Sequence, residues 1–291
     1  MSVDLLILLI VSFGASWLTF FCGFGLGTLL TPIFYLLFND MALAIAATAI
    51  VHFLNNIFKF LLMKRSVDWK IVIPFGFAAI PAAFIGAFLM TRFNDEHLLT
   101  YSLFGLEAEM TLFNLIFGLI LIGFALIELI PKWSLAFSKQ RLWVGGLISG
   151  FFGGLSGHQG ALRTAFLIKY NLKKEVFVAT GIVVALIVDV VRTSIYAWGN
   201  NYNFQSTEWL WIALALVAAL LGAITGKLFL KKIKINALNL AISLALLIFG
   251  LALALGVLRK HNAGDEELAE MKNATEQLME PLHSKKYDLI C

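Results

Sequence analysis

A stripe of polar and ionisable residues interrupts the apolar stretch 41–63. Its members recur at spacings of three, four and seven, so they share one face of a helix: His52, Asn55, Asn56 and Lys59. A charge at the centre of a bilayer costs at least about 2.5–3.5 kcal/mol, so Lys59 needs a partner or a watery cavity. The stripe predicts helix–helix contacts or the lining of a solute pathway. Lys59 has the alternative of extending its side chain to the interface near Lys64.

A second apolar stretch, 175–198, carries Asp189 and Arg192 three residues apart on one helical face. Shifting the chain by 133 positions, from Gly27 to Gly160, also pairs Asn56 with Asp189 and Lys59 with Arg192. If Asp189 neutralises Arg192, the symmetric positions Lys59 and Arg192 together keep one net positive charge, which a bound anion would neutralise. An interfacial position near the outer helix end is the alternative for Arg192.

Two glycine-rich interruptions lie in stretches that are too long for one membrane crossing and too short for two. Gly23-Phe24-Gly25-Leu26-Gly27, followed by Pro32, interrupts 5–38, and Gly153–Gly160 interrupts 142–168. Backbone without helical partners is tolerated at membrane depth only where protein or water covers it. Each stretch therefore predicts a helix that enters, a turn near mid-depth and a half-helix that returns. Close helix packing through small residues is the alternative.

The two returning half-helices, predicted to start near Thr28 and Ala161, would point their N-termini at the midplane. A helix N-terminus offers unpaired N–H donors and partial positive charge, so two of them favour an anion. Arg163 in the first turn suits a bidentate contact with an oxyanion, although it could instead face the cytoplasm. The candidate binding residues at the two interruptions are Gly25, Gly27, Thr28, His158, Gln159, Gly160 and Arg163, in addition to the stripe and Arg192.

The whole composition indicates a membrane protein. Of 291 residues, 60% are hydrophobic and 14% are charged, with a mean hydropathy of +0.88, whereas soluble proteins carry about 25% charged residues. The charges lie between apolar runs long enough to cross a bilayer: 5–38, 41–63, 71–91, 111–130, 142–168, 175–198, 208–230 and 236–258. The two cysteines lie at opposite ends, which argues against a disulfide framework or a metal cluster. We expect no cleavable signal peptide, no cofactor and no nucleic-acid surface.

Basic residues predict the topology, because positively charged loops stay cytoplasmic. They mark the connections near 64–70, 132–141, 169–174 and 231–234, whereas 92–110 and 199–207 hold only Arg92. Because 142–168 lies between two basic loops, it must leave and return on the same side. Each half then has one re-entrant hairpin and three crossings. Because three is an odd number, the two halves must be inverted relative to each other. We therefore predict an all-α polytopic membrane protein with two inverted repeats, each a re-entrant or broken helix hairpin plus three transmembrane helices.

The predicted division is 1–131 and 132–259 for the two transmembrane repeats, with a polar tail at 260–291. Inverted repeats with broken helices are typical of secondary transporters with a mid-membrane site. We therefore expect alternating-access transport of a small anion across the cell membrane, with a passive anion channel as the alternative. An intramembrane hydrolase is disfavoured, because Ser156 and His158 are too close in sequence for a dyad. His52, His158 and Asp189 are the candidates for proton coupling, and a homodimer is left open.

Gly23–Gly27 with Pro32, repeated loosely at Gly153–Arg163 in an eight-segment chain, resembles the sulfite exporter TauE/SafE family of permeases. That family usually has a triple glycine followed five residues later by proline, in both halves. Here Gly25-Leu26-Gly27 and His158-Gln159-Gly160 replace the triplets, and Ala165 replaces the second proline. The resemblance, over about residues 5–258, implies membrane transport of sulfite, sulfonates, thiosulfate or related sulfur anions.

Overall fold

Apolar α-helices dominate the computed structural model, which describes residues 3–22, 26–92, 97–103, 106–129, 141–167, 170–199, 204–229 and 236–258. The described residues form ten α-helices: α1 Val3–Cys22, α2 Leu26–Phe38, α3 Met41–Met63, α4 Trp69–Met90, α5 Leu112–Leu129, α6 Leu142–Ser156, α7 Gly160–Leu167, α8 Lys174–Trp198, α9 Ser206–Phe229 and α10 Asn236–Ala254. A 3-10 turn, Lys64–Ser66, follows α3. The predicted boundary at 131–132 and the tail from 260 lie outside the described residues.

Four of these helices are long and apolar enough to cross a membrane by length and composition: α3 with its 3-10 turn, α4, α8 and α9. The others are shorter in their described apolar parts. Large apolar side chains also point outward, such as Ile73 at 64% and Phe77 at 82% exposure on α4. Helices that are apolar all round suit a lipid surrounding. The predicted α-helical membrane architecture is thus confirmed at this level.

The second predicted interruption lies between α6 and α7, and it is narrower than the glycine run suggested. α6 remains helical through Gly153 and Gly154 and ends at Ser156. Gly157 follows with φ +79°, the left-handed conformation that favours glycine, and its N–H donates to the Gly153 carbonyl. In the first interruption, α1 ends at Cys22 and α2 begins at Leu26, while Gly25 lies outside the described residues.

Glycines and alanines let α4 and α6 pack with their backbones in contact. On α6, Gly146, Gly150 and Gly154 recur at a spacing of four. A Cβ at any of these would overlap a carbonyl oxygen of α4, from Phe75, Ala79 and Ala83 respectively. This is the small-residue packing expected between membrane helices. The packing interpretation of the glycines is therefore correct for these positions, and the chain break belongs to Gly157.

Helix contacts follow an exchange pattern between the two halves of the chain. α4 packs on α6 and α9 packs on α1, while α4 contacts α8 and α9 contacts α3. α3 also contacts α8, and α5 contacts α10. Mapping α1–α5 onto α6–α10 exchanges α4–α6 with α1–α9 and α4–α8 with α3–α9, and it leaves α3–α8 and α5–α10 unchanged. Among the described residues, the contacts of α6 with α8 and of α2 with α10 have no counterpart of similar extent under this mapping. The two halves are thus interleaved, and each donates its first helix to the other half.

The connection predicted at 92–110 contains a β-hairpin that the sequence analysis did not anticipate, although the described residues are predominantly α-helical as predicted. β1, His97–Leu103, pairs antiparallel with β2, Leu106–Thr111. Tyr101 Oη donates to the Leu255 carbonyl at 2.7 Å, and the Glu109 N–H donates to the Gly256 carbonyl at 3.3 Å. The hairpin therefore packs against the end of α10. Thr and Tyr favour strands. The strands are short and lie directly before the apolar run of α5, so their pattern did not stand out in the sequence.

Candidate functional site

The polar stripe on α3 is buried at the crossing with α8. His52, Asn55, Asn56 and Lys59 lie on one face, as their spacing predicted, and all four are at most 8% exposed. α3 contacts α8, α2 and α9, so the stripe faces the interior of the bundle. These side chains contact one another along α3, as Asn56 Nδ2 and His52 Nδ1 do at 3.0 Å, and they also find partners on neighbouring helices.

Asp189 on α8 is the centre of the polar network. Its Oδ2 lies 2.7 Å from His52 Nδ1 and accepts a hydrogen bond from Asn56 Nδ2 at 2.8 Å. Its Oδ1 accepts from Arg192 Nε at 3.0 Å and lies 2.9 Å from Arg192 Nη2. The carboxylate is fully buried, which requires such partners. The pairing of Asp189 with Arg192 that the sequence indicated is present.

Arg192 is also fully buried, so the interfacial alternative is excluded. Its guanidinium packs directly beneath the second break, because a Cβ at Gly157 would overlap Nη1. Among the described residues, Nη1 has no hydrogen-bond partner. Buried guanidinium donors are normally satisfied, so this atom is a candidate contact for a bound acceptor.

Lys59 does not extend toward the interface, since it is 1% exposed. Its Nζ donates to the Ser16 carbonyl of α1 at 3.1 Å. The amide orientation of Asn55 that satisfies both of its polar atoms places Oδ1 3.0 Å from Nζ. Lys59 therefore ties α3 to α1, one turn away from the network around Asp189.

The residues of the second break are buried and only partly satisfied. His158 Nδ1 lies 3.0 Å from the Ser156 carbonyl, so Nδ1 carries the proton and Nε2 has a lone pair in the neutral ring. Nε2 and both side-chain amide atoms of Gln159 have no hydrogen-bond partner among the described residues. The Gln159 carbonyl accepts from Ser149 Oγ at 3.2 Å and from the Arg163 N–H at 3.0 Å.

The two interrupted hairpins meet inside the bundle. A Cβ at Gly27, in the first turn of α2, would lie 3.4 Å from the Gly157 carbonyl oxygen and 4.0 Å from His52 Cδ2. Thr28 beside it is buried. The beginning of α2, the break before α7 and the α3 stripe therefore adjoin one another, while Gly160 begins α7 on the other side of the same break.

A narrow cavity reaches this region. It brings together three of the predicted residues, His52, Asn56 and Arg163, with two threonines, Thr19 and Thr164. Its apolar wall comes mainly from the first half of α8 and the end of α7: Leu167, Phe177, Val178, Gly181, Ile182 and Ala185. The cavity thus runs from the α7–α8 end of the bundle to the polar network.

Arg163 is 5% exposed and lines the cavity, so it does not simply face bulk solvent. Its Nε lies 3.3 Å from where a Cβ of Gly181 would be, so the guanidinium packs closely against the α8 backbone at this glycine. Lys59, Arg192, His158 and Gln159 do not line the cavity. Arg192 is connected to it through Asp189, which contacts the lining residues His52 and Asn56.

Thr19 is a lining residue that the sequence reasoning missed. Ser12, Ser16 and Thr19 are buried on α1 at spacings of four and three. This stripe has the same helical periodicity as the one on α3, and it would have been found by the same test. In the part of the chain that the structure describes, no group of three His, Cys, Asp or Glu could hold a metal ion.

A bundle of apolar helices with a buried, charged centre and a cavity leading to it is the design of a membrane transport protein. The model of the sulfite exporter TauE/SafE family matches residues 8–254, and the chain belongs to this family of membrane transporters. The family assignment made from the glycine motifs is confirmed. No curated protein and no solved structure matches the chain.

Proposed function

We propose that the protein is a secondary transporter that carries a small sulfur oxyanion, such as sulfite or an organosulfonate, across the cell membrane. The observation that supports this most is that both interrupted hairpins meet, at Gly27 and Gly157, beside His52, which lines a cavity together with Arg163. The family match supports transport of a sulfur anion. The anion would occupy the inner end of the cavity, between His52, Asn56 and Arg163.

The charges around the cavity favour an anion. Arg163 lies in the first turn of α7, where its guanidinium can offer two donors to one oxyanion. The N-termini of α2 and α7 add partial positive charge near the same region. Water is scarce in such a site, so these interactions are stronger than on a surface. Thr164, whose hydroxyl has no hydrogen-bond partner among the described residues, can supply a further donor, whereas the Thr19 hydroxyl already donates to the Ala15 carbonyl.

Alternating access would follow from an inverted repeat of α1–α5 and α6–α10. The exchange pattern of helix contacts supports this relation, as does the register that pairs Asn56 with Asp189 and Lys59 with Arg192. These residues meet where α3 and α8 cross, and α3 and α8 are counterparts in the two repeats. Rocking of one repeat against the other around a fixed site is the usual mechanism in such folds.

The cavity supports access from the cytoplasm in the state described. It extends toward Leu167 and Phe177, which flank the connection that holds Lys169, Lys173 and Lys174. Positively charged connections stay cytoplasmic. The cavity lining does not include Gly27 or Gly157, which adjoin each other beyond His52. One-sided access suits a carrier better than a passive anion channel, which needs a continuous path.

Catalysis by Ser156 and His158 has no support in the geometry. Ser156 Oγ donates to the Phe152 carbonyl at 3.1 Å, and His158 Nδ1 contacts the Ser156 carbonyl. A nucleophile and its base must be within hydrogen-bond reach of each other, whereas each of these groups is committed to the backbone.

Flux measurements in liposomes reconstituted with the purified protein test this function. Sulfite, methanesulfonate, sulfate and acetate are supplied in turn, with and without the same anion inside. A carrier of sulfur oxyanions gives saturable sulfite or methanesulfonate uptake, and internal anion accelerates that uptake. Uptake that rises linearly with concentration and ignores internal anion would indicate a channel. Folded protein whose liposomes take up none of the sulfur anions would overturn the proposal.

A further inference from the structure

The pair His52–Asp189 joins α3 to α8 at the inner end of the cavity. A separation of 2.7 Å between Nδ1 and Oδ2 requires one proton between the two atoms. Asp189 is held as a carboxylate by Arg192, whose Nε donates to Oδ1 at 3.0 Å. The shared proton therefore belongs to His52 Nδ1, and the neutral ring carries a lone pair on Nε2.

The other edge of the His52 ring faces the substrate region. His52 lines the cavity, and its side chain keeps 11% of its surface exposed. Cδ2, the neighbour of Nε2, lies 4.0 Å from where a Cβ of Gly27 would be, at the start of α2. Because Nδ1 contacts Asp189, Nε2 lies on the part of the ring away from Asp189, and this is the atom that we assign to the anion.

We propose that His52 binds one proton at Nε2 together with the anion, so that one proton crosses the membrane with each oxyanion. This inference rests on the proposed transport function and adds its coupling ion. Nε2 takes up a proton from the aqueous phase on the open side, where a hydronium ion becomes water, and returns it to water on the other side as hydronium when the site opens there. The imidazolium formed between these events donates Nε2–H to the oxyanion and Nδ1–H to Asp189.

Proton and anion stabilise each other because each compensates the charge of the other. The fully buried Asp189 orients His52 and stabilises its positive form from behind. The anion stabilises the same positive form from the cavity. By linkage, a proton that improves anion binding must itself bind more tightly when the anion is present.

The remaining charged groups around His52 favour protonation only with the anion bound. They come from every element that packs near it: Lys59 on α3, Arg192 on α8, Arg163 on α7 and His158 at the break before α7. Positive charges on Lys59, Arg192 and Arg163 oppose a further positive charge on an empty site. The negative charge of the substrate offsets that repulsion, so the proton enters with the substrate.

Simultaneous measurement of anion and proton flux tests the coupling. The purified full chain is reconstituted into liposomes that contain a pH-sensitive dye. Thiosulfate and methanesulfonate serve as probes beside sulfite, because these two stay deprotonated near neutral pH and carry no proton themselves. We expect an inward anion gradient to acidify the lumen, and an inward proton gradient to drive anion accumulation.

Variants locate the proton site. In His52→Gln or Asp189→Asn, the ratio of proton flux to anion flux should fall about tenfold or more, whatever rate of anion flux remains. Ser194→Ala, on the same helix and bonded only to the Val190 carbonyl, should keep the wild-type ratio. A ratio lost in His158→Gln but kept in His52→Gln would contradict the assignment.

The same flux measurements distinguish a failure of proton coupling from a failure of anion transport. Wild-type protein that exchanges a sulfur anion without any proton movement refutes the coupling and leaves the transport function standing. Wild-type protein that exchanges none of the three probes refutes both.

Discussion

Four ionisable side chains are buried together where α3 and α8 cross: His52, Lys59, Asp189 and Arg192. Each would destabilise an apolar bundle if its charge were left unpaired. Asp189 pairs with His52 and Arg192 at once, and Lys59 donates to the Ser16 carbonyl. Such a costly arrangement contributes little to stability, so a role in binding an anion is the simplest physical reason for it.

Removal of a buried cation should abolish oxyanion transport. We expect Lys59→Ala and Arg192→Ala to lose uptake of sulfite or methanesulfonate in liposomes, because each removes positive charge from the region of the site. The exposed Lys70→Ala is the matched control and should transport normally. Both buried variants should still elute as folded protein in detergent. Unchanged uptake in both would remove these residues from the site.

Gly157 should tolerate no side chain. Its φ of +79° costs an L-residue about 1–2 kcal/mol, and a Cβ would in addition overlap Arg192 Nη1. Gly157→Ala should therefore lower the thermal stability in detergent and reduce anion uptake. Gly123→Ala on α5, where a Cβ meets nothing within 4 Å, is the control. Equal melting temperatures and uptake for the two variants would show that the turn is not constrained.

At the scale of elements, the glycines of α6 have two separate roles. Gly146, Gly150 and Gly154 lie inside the helix and let α4 approach to backbone contact. Gly157 ends the helix and turns the chain toward α7. Tyr196 of α8 secures this end, because its hydroxyl donates to the Gly154 carbonyl. The close packing of α6 on α4 thus fixes the position of the helix end at which the second break occurs.

A larger side chain between α4 and α6 should lower the thermal stability of the protein more than it affects transport. Gly150→Val places a branched side chain against the Ala79 carbonyl, and overpacking of this kind costs about 1–3 kcal/mol. We expect a lower melting temperature in detergent, which Gly123→Val on the open side of α5 should not show. A Gly150→Val protein as stable as the wild type would mean that the two helices separate freely.

At the scale of the whole molecule, sequence periodicity predicted the features that depend on local pattern. The helical segments follow from the lengths of the apolar runs, and the α3 stripe and the Asp189–Arg192 pair follow from spacings of three and four along one helix. The contacts between His52 and Asp189 and between Gly27 and Gly157 join residues distant in sequence, so spacing alone could not establish them. The cavity was not predictable for the same reason, since four helices contribute to it.

The β-hairpin shows a second limit of the pattern. Residues 97–111 are short, mixed in polarity and placed between apolar helices, and strand pairing is decided by cross-strand neighbours rather than by propensity. The buried positions of Lys59 and Arg163 were also undecided from sequence. Whether a long basic side chain reaches an interface depends on the helices around it, which periodicity does not describe.

The direction of the cavity predicts one-sided chemical access. In a chain with Cys22→Ser and Cys291→Ser, Thr164→Cys should react with a membrane-impermeant thiol reagent added from the side of the basic loops. Sulfite should slow that reaction, because it occupies the same cavity. Val217→Cys, on the outward face of α9, should react from neither side. Labelling of Thr164→Cys from the opposite side alone would contradict the assigned opening.

Direct location of a bound anion is the measurement that bears most closely on the central claim. Selenite is a heavier analogue of sulfite, and its selenium gives an anomalous signal in crystals of the protein. We predict a selenium peak at the inner end of the cavity, with its oxygens within about 3.2 Å of donors on His52 and Arg163. Selenite found only at the basic loops, with that cavity unoccupied at saturating concentration, would contradict the account.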